Sequence, residues 1–248
     1  MSRNSAEAFA RYLGAQVSPA EKPGIQHRPA IAISRQTGAG ALTVANLLAQ
    51  RLNVDCQGDP PHPWKVFDRN LAQRILEDHQ LSARMEPYLP EDAKHPLTDA
   101  LESVLGLHPS FWILRQHTVE TIRRLAARGN VILVGRGASS ITAELPQVLQ
   151  VRLVAPLADR VLNFAHYHQL PPEKAARLVP ETDERRRRYV RTYFDTDIED
   201  PTNYDLIINT GRSGFDQAAG MIIFILMEKL AKAEVASSKA QTPLAAKR

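Results

Sequence analysis

Five short apolar runs alternate with segments of helical periodicity along this chain, and that alternation limits the fold more than any other feature. The runs are 30–34 (AIAIS), 64–67 (WKVF), 131–134 (VILV), 148–155 and 206–209 (LIIN). The third is apolar at every position, as a central parallel strand must be when helices cover both faces of its sheet. Between the runs, apolar residues recur at helical spacing. In 40–52 they are Leu42, Ala45, Leu48, Ala49 and Leu52. Helices are also expected over 69–79, 111–128, 157–168, 174–194 and 215–231, and Gly129 stands at the C-cap position of the third of these six. Pro87, Pro90, Pro96 and Pro109 break 80–110 into an irregular helical insert. Strands and helices in alternation predict an α/β fold in three layers, a parallel sheet with right-handed crossovers and helices on both faces. Ligands of such sheets bind at the carboxyl ends of the strands, which directs attention to the loops after Ser34, Phe67, Val134, Val154 and Asn209.

A chain of 248 residues with 44% hydrophobic residues suits one such domain, placed at 29–232. Residues 1–28 read as an N-terminal extension ending in a linker marked by Pro19, Pro23, Gly24 and Pro29, and 233–248 as a flexible tail. A net charge of +4 favours anionic partners. With a single cysteine, Cys56, no intramolecular disulfide can form, and the eight histidines show no metal-site spacing. The longest apolar run is the seven residues 221–227, far short of the roughly 20 that span a bilayer. The first residues lack the apolar stretch of a secretion signal, so a cytoplasmic protein with no membrane partner is expected. Aromatic residues are only 6% and no RNA or DNA motif is present, so nucleic acid is not the expected partner.

The segment AIAISRQTGAGALTVANLLAQRL reads as strand, glycine-bearing loop, helix. Such a helix points its first N–H groups and its dipole at whatever anion the loop holds. That is the context of a phosphate-binding P-loop. The candidate phosphate-binding residues are Ser34, Arg35, Gly38, Ala39, Gly40, Ala41, Leu42 and Thr43. The segment is similar to the GxxGxGK loop of small nucleotide kinases, with two departures. Ala41 stands where that loop has its lysine, and Leu42, followed by Thr43, where the wider class has its magnesium-binding Ser/Thr. The same residues are also compatible with a turn whose glycines serve geometry alone.

Five landmarks follow one another in order: ISRQTGAGA at 33–41, VFDRN at 66–70, GNVILVGRGA at 129–138, TDERRRRYVRTYF at 182–194 and DPTNYDLIINT at 200–210. Together they resemble the cytidylate kinase-like family over about 30–227. The resemblance implies a P-loop nucleoside-monophosphate-kinase-like fold with an acceptor-binding region at about 69–128 and a helical lid at about 170–198. It also implies ATP and Mg²⁺ as cofactors, nucleotides as substrates, and transfer of a phosphoryl group to CMP, dCMP or a related acceptor. The alternative is a nucleotide-binding regulatory or docking module that lacks transfer activity because Ala41 replaces the lysine.

Arg136, flanked by Gly135 and Gly137 directly after VILV, has a planar fork that suits a phosphate. Asp68 after the second run is the candidate for binding Mg²⁺ through water or for holding the acceptor, or else an N-cap of the next helix. Arg160 opens the helix at 157–168, and either approaches the donor nucleotide, as the resemblance implies, or belongs to a solvated face. The run Arg185–Arg188 fans around its helix at about 100° per residue, so at most two of its members can reach one ligand. The family's D-x-x-R pattern selects Asp183 and Arg186, with Arg191 five residues further on. By resemblance, Arg136 and Arg186, together with Asp68, are the catalytic set.

Overall fold

The computed structural model describes residues 28–54, 62–68 and 109–240. The helix expected at 69–79, most of the insert at 80–110, and the first 27 residues lie outside them.

Strand β1 (Ala30–Arg35) runs into helix α1 (Ala41–Val54). Then come β2 (Lys65–Phe67), α2 (Pro109–Arg128), β3 (Val131–Val134), the short α3 (Ala138–Ile141) and β4 (Val148–Val154). Helices α4 (Leu157–His168) and α5 (Pro172–Phe194) follow as a pair. A 3₁₀ turn (Pro201–Asn203), β5 (Leu206–Asn209) and α6 (Thr210–Ala240) complete the described chain. Helices α2 and α5 begin two residues earlier than the periodicity implies, each on a proline. Proline fits a first turn, where its missing N–H has no partner to lose. Helix α6 begins at Thr210 and is kinked at Gly214, so the expected start at 215 marks its second, straight part.

The sheet order is β2-β3-β1-β4-β5, with every pairing parallel. From β1 the chain goes to the edge strand β2, returns inward through β3 and then crosses to β4 and β5 on the other side, so the connections change direction at β1. Alternation along the strands sorts the core into two layers. Ile31, Ile33, Ile132, Leu149, Val151 and Leu153 face α1 and α6, meeting Val44, Leu48 and Ile222. Ala30, Ala32, Val131, Leu133 and Val148 face the other way, onto Ile122 and Leu125 of α2 and onto α3. Alanines at 30 and 32 let α2 approach β1 closely. Of the large side chains, Leu48, Leu149, Leu153 and Ile222 are fully buried, and each stabilises the fold by about 1.5–3 kcal/mol through area removed from water. Helix α4 buries only Arg160 and Ala165, whereas α5 buries Ala175, Val179 and Val190 as well as Thr182 and Arg186 and packs Phe194 on the second core layer.

Candidate functional site

The loop leaving β1 is fixed from both sides. Its turn closes through the Ala39 N–H on the Gln36 carbonyl at 3.1 Å. Gln36 Oε1 accepts the Ala155 N–H at 3.1 Å, the Asn163 amide donates to the Gly38 carbonyl at 3.1 Å, and Thr210 Oγ1 donates to the Ala39 carbonyl at 3.0 Å. Gly38 has φ +80°, and a Cβ there would stand 2.1 Å from the Arg160 carbonyl oxygen. Only glycine lets the loop lie directly on the backbone of α4.

Asp183 of α5 reaches down onto this loop. Its Oδ1 accepts the Thr37 backbone N–H at 2.7 Å and Arg186 Nη1 at 3.0 Å, while Oδ2 accepts Arg160 Nη1 at 2.5 Å. Arg186 Nη1 also donates to Thr37 Oγ1 at 3.0 Å, and Arg160 donates to the carbonyls of Thr37 at 3.2 Å and Ala155 at 3.0 Å. The Arg160 and Arg186 side chains are only 10% and 5% exposed. The i, i+3 spacing places Asp183 and Arg186 one above the other on the helix. Two guanidinium groups and a carboxylate thus meet on one loop residue. The loop N–H of Thr37 already donates to an anionic oxygen, which is how such a loop treats phosphate.

Arg160 therefore lies in the site and not on a solvated face. Among the arginine run, Arg186 alone turns inward onto the loop. Arg187 is half-exposed and pairs with Glu184 and with Glu199 at 3.0 Å. Its hydrogen bond to Glu199 pushes its pKa above the ordinary arginine value, against the opposing effect of partial burial. Arg188 is exposed, and Arg191 is exposed with a side chain that joins no hydrogen bond or ion pair among the described residues.

Arg136 is 8% exposed and sits in the left-handed region at φ +56°, between Gly135 at +80° and Gly137 at +70°. A left-handed backbone costs a non-glycine residue about 1–2 kcal/mol. Such strain gathers where a side chain must be aimed at a ligand. A Cβ on Gly137 would stand 2.3 Å from the Phe194 ring, so the end of α5 packs against this turn. Ala41 is 6% exposed within the apolar cluster under α1, Leu42 is half-buried and Thr43 exposed. No cation stands at the first position of α1. Asp68, half-buried, directly follows the edge strand β2, two strands from β1 in the sheet.

A cavity of about 390 Å³ opens between Arg35–Gln36, the start of α4 and the underside of α5. Sequence reasoning missed one of its residues, Arg152, which lies on β4 at 5% exposure and donates to Ser34 Oγ at 3.0 Å. A signal was present: Gln150 and Arg152 are polar residues two apart in an otherwise apolar strand, which puts both on one face. Gln36 and Asn163, whose amides fix the loop, carried no such signal. No group of three potential metal ligands occurs among the described residues. No described helix is long and apolar enough to cross a membrane.

A cytidylate kinase from Halobacterium salinarum is 25% identical over 194 residues, covering 78% of this chain and 86% of that protein. A cytidylate kinase from Desulfurococcus amylolyticus is 32% identical over 111 residues, 44% of this chain and 57% of that protein. Among solved structures, an uncharacterized protein from Eubacterium ventriosum superposes with a TM-score of 0.58 at 19% identity, over 80% of this chain and 98% of that one, which shows a shared fold. The model of the cytidylate kinase-like family matches residues 30–212, a span that holds the loop, the Arg136 turn and the Asp183 cluster, and the chain belongs to that family.

Proposed function

We propose that this chain is a nucleoside-monophosphate-kinase-like phosphotransferase that moves the γ-phosphoryl group of ATP to CMP, dCMP or a related acceptor. The observation that carries the reading is the Asp183 bridge, which holds Arg160 and Arg186 against a glycine loop at the switch point of a parallel sheet. In the reaction an acceptor phosphate oxygen bonds to the γ-phosphorus as the bond to the ADP oxygen breaks, giving ADP and a nucleoside diphosphate. No covalent enzyme intermediate is needed, so catalysis is positioning and charge neutralisation. Arg186 and Arg136 neutralise the equatorial oxygens in place of the lysine absent at Ala41. Arg160 holds the donor side of the loop. A nucleotide-bound Mg²⁺ needs one or two protein carboxylates besides the phosphates, and Asp68 is the residue assigned to it. The metal would offset charge on the transferring group.

A second reading, a nucleotide-binding module without transfer, is favoured by Ala41 and its apolar surroundings. The experiment that separates the two is a phosphotransfer assay with ATP, Mg²⁺ and a panel of nucleoside monophosphates, reading the diphosphate product directly. Product with CMP or dCMP supports the kinase. Nucleotide binding by calorimetry with no product from any acceptor would leave the binding module.

A further inference from the structure

Arg152 is a buried cation with no buried counterion. No carboxylate lies within 4 Å of its guanidinium among the described residues. Its contacts are Ser34 Oγ at 3.0 Å and the face of the Tyr204 ring, 5.6 Å from the guanidinium carbon. Neither neutralises it. Burying a lone charge is costly, and proteins retain one where something completes it.

The surroundings indicate what does. Arg152 lines the 390 Å³ cavity with four other arginines: Arg35, Arg160, Arg186 and Arg187. Three carboxylates share the lining, and each already serves another arginine. Asp183 binds Arg160 and Arg186, while Glu184 and Glu199 bind Arg187. None of the three serves Arg152, so unbalanced positive charge remains at the Arg152 wall of the cavity. A guanidinium has five N–H donors in a fixed fork, and Arg152 commits one of them to Ser34. Leu157, Pro180 and Ile198 add apolar wall, so the cavity can take an organic body along with an anion.

We propose that Arg152 is the floor of an anion subsite at the 34–36 end of the loop, distinct from its glycine turn at 38–40, that takes a phosphomonoester-type dianion. An anion seated there would bridge the sheet, through Arg152, to the lid helix, through Arg186 and Arg187. Assigning the anion to the acceptor nucleotide rests on the phosphotransfer reading; the site itself does not. Tyr204 and Ser34 act as positioning residues, since the Tyr204 hydroxyl bonds the Ile198 carbonyl at 2.8 Å and Ser34 Oγ at 3.2 Å, fixing the acceptor of the Arg152 bond.

The test is calorimetry without turnover. Inorganic phosphate and CMP, each without ATP, are titrated into the wild-type protein, Arg152→Gln and Arg152→Lys, with melting curves confirming that each variant is folded. The expected result is binding to wild type that falls about tenfold or more in Arg152→Gln and is partly kept in Arg152→Lys, because the charge-assisted bonds are lost or halved. Saturation with a non-hydrolysable ATP analogue should leave phosphate bound. CMP binding much tighter than phosphate makes the acceptor the source of the anion, and equal affinities make it the free ion. Unchanged binding in a folded Arg152→Gln, displacement of phosphate by the ATP analogue, or no binding of either probe at millimolar concentration would overturn the site. Loss of transfer activity with Arg152-dependent phosphate binding intact would sink the kinase reading and spare the subsite.

Discussion

Arg186 and Arg187 are neighbours in one helix and identical in type, yet they belong to different environments. The first is buried, bonded to Asp183 and Thr37 against the phosphate loop. The second is 43% exposed and exchanges partners with Glu184 and Glu199 at the helix surface. A helix advances about 100° per residue, so adjacent arginines point in different directions, and here only Arg186 reaches Thr37 although both line the cavity. The run of four thus holds one buried arginine on the loop, a half-buried Arg185 bonded to Thr182, and Arg187 and Arg188 at the helix surface. Burial, and not residue type, decides which matters.

Removing the charge of Asp183 should have the largest effect on stability. Asp183→Asn keeps the shape but leaves two buried guanidinium groups facing one another without a carboxylate. Breaking such a buried network costs about 2–4 kcal/mol, allowing for the partial exposure of Asp183. Urea unfolding would read the loss, and a change under about 1 kcal/mol would show that the cluster is more solvated than it looks. Arg186→Met should cost less, about 1–2 kcal/mol, because Asp183 keeps Arg160 and the Thr37 N–H as partners. Its effect on turnover should be far larger, a loss of about 100-fold or more in kcat if Arg186 faces the transferring group. A melting shift with turnover intact would make Arg186 a lid fastener only.

This contrast explains how much could be read in advance. The strands were legible because a central parallel strand is apolar on both faces, and VILV at 131–134 permits little else. The D-x-x-R spacing picked Asp183 and Arg186 out of a crowded charge run. It could not reveal that Asp183 would reach the Thr37 N–H, since that contact joins residues 146 apart. Arg160 stayed ambiguous because its role depends on how closely α4 approaches Gly38, which tertiary packing sets. Arg152 was hidden by its strand, where apolar neighbours at 151 and 153 dominate the pattern.

On the outer side of the helix the expected effects shrink. Arg187→Ala breaks two half-exposed ion pairs and should cost under about 1 kcal/mol, with the loss fading in high salt. Arg188→Ala, with a single 3.9 Å contact to Glu184, should fall within about 0.5 kcal/mol of wild type. Equal effects at 186, 187 and 188 would break the inward and outward division altogether.

The smallest effect is at Asp200, one residue past the Glu199 that anchors Arg187. Its carboxylate accepts the Thr202 hydroxyl at 2.7 Å and the Thr202 N–H at 2.9 Å, and the side-chain bond, then the backbone bond, lowers its pKa below the ordinary 3.8. A carboxyl lowered in the folded state contributes stability that is present above its unfolded value and is lost as pH falls through the folded one. Carboxyl-carbon NMR should find Asp200 titrating below 3.8. Because the group is solvent-exposed, the turn at 201–203 should loosen only slightly on acidification. If Asp200 titrated at or above 3.8, its bonds to Thr202 would fix the shape of the turn without contributing to its stability.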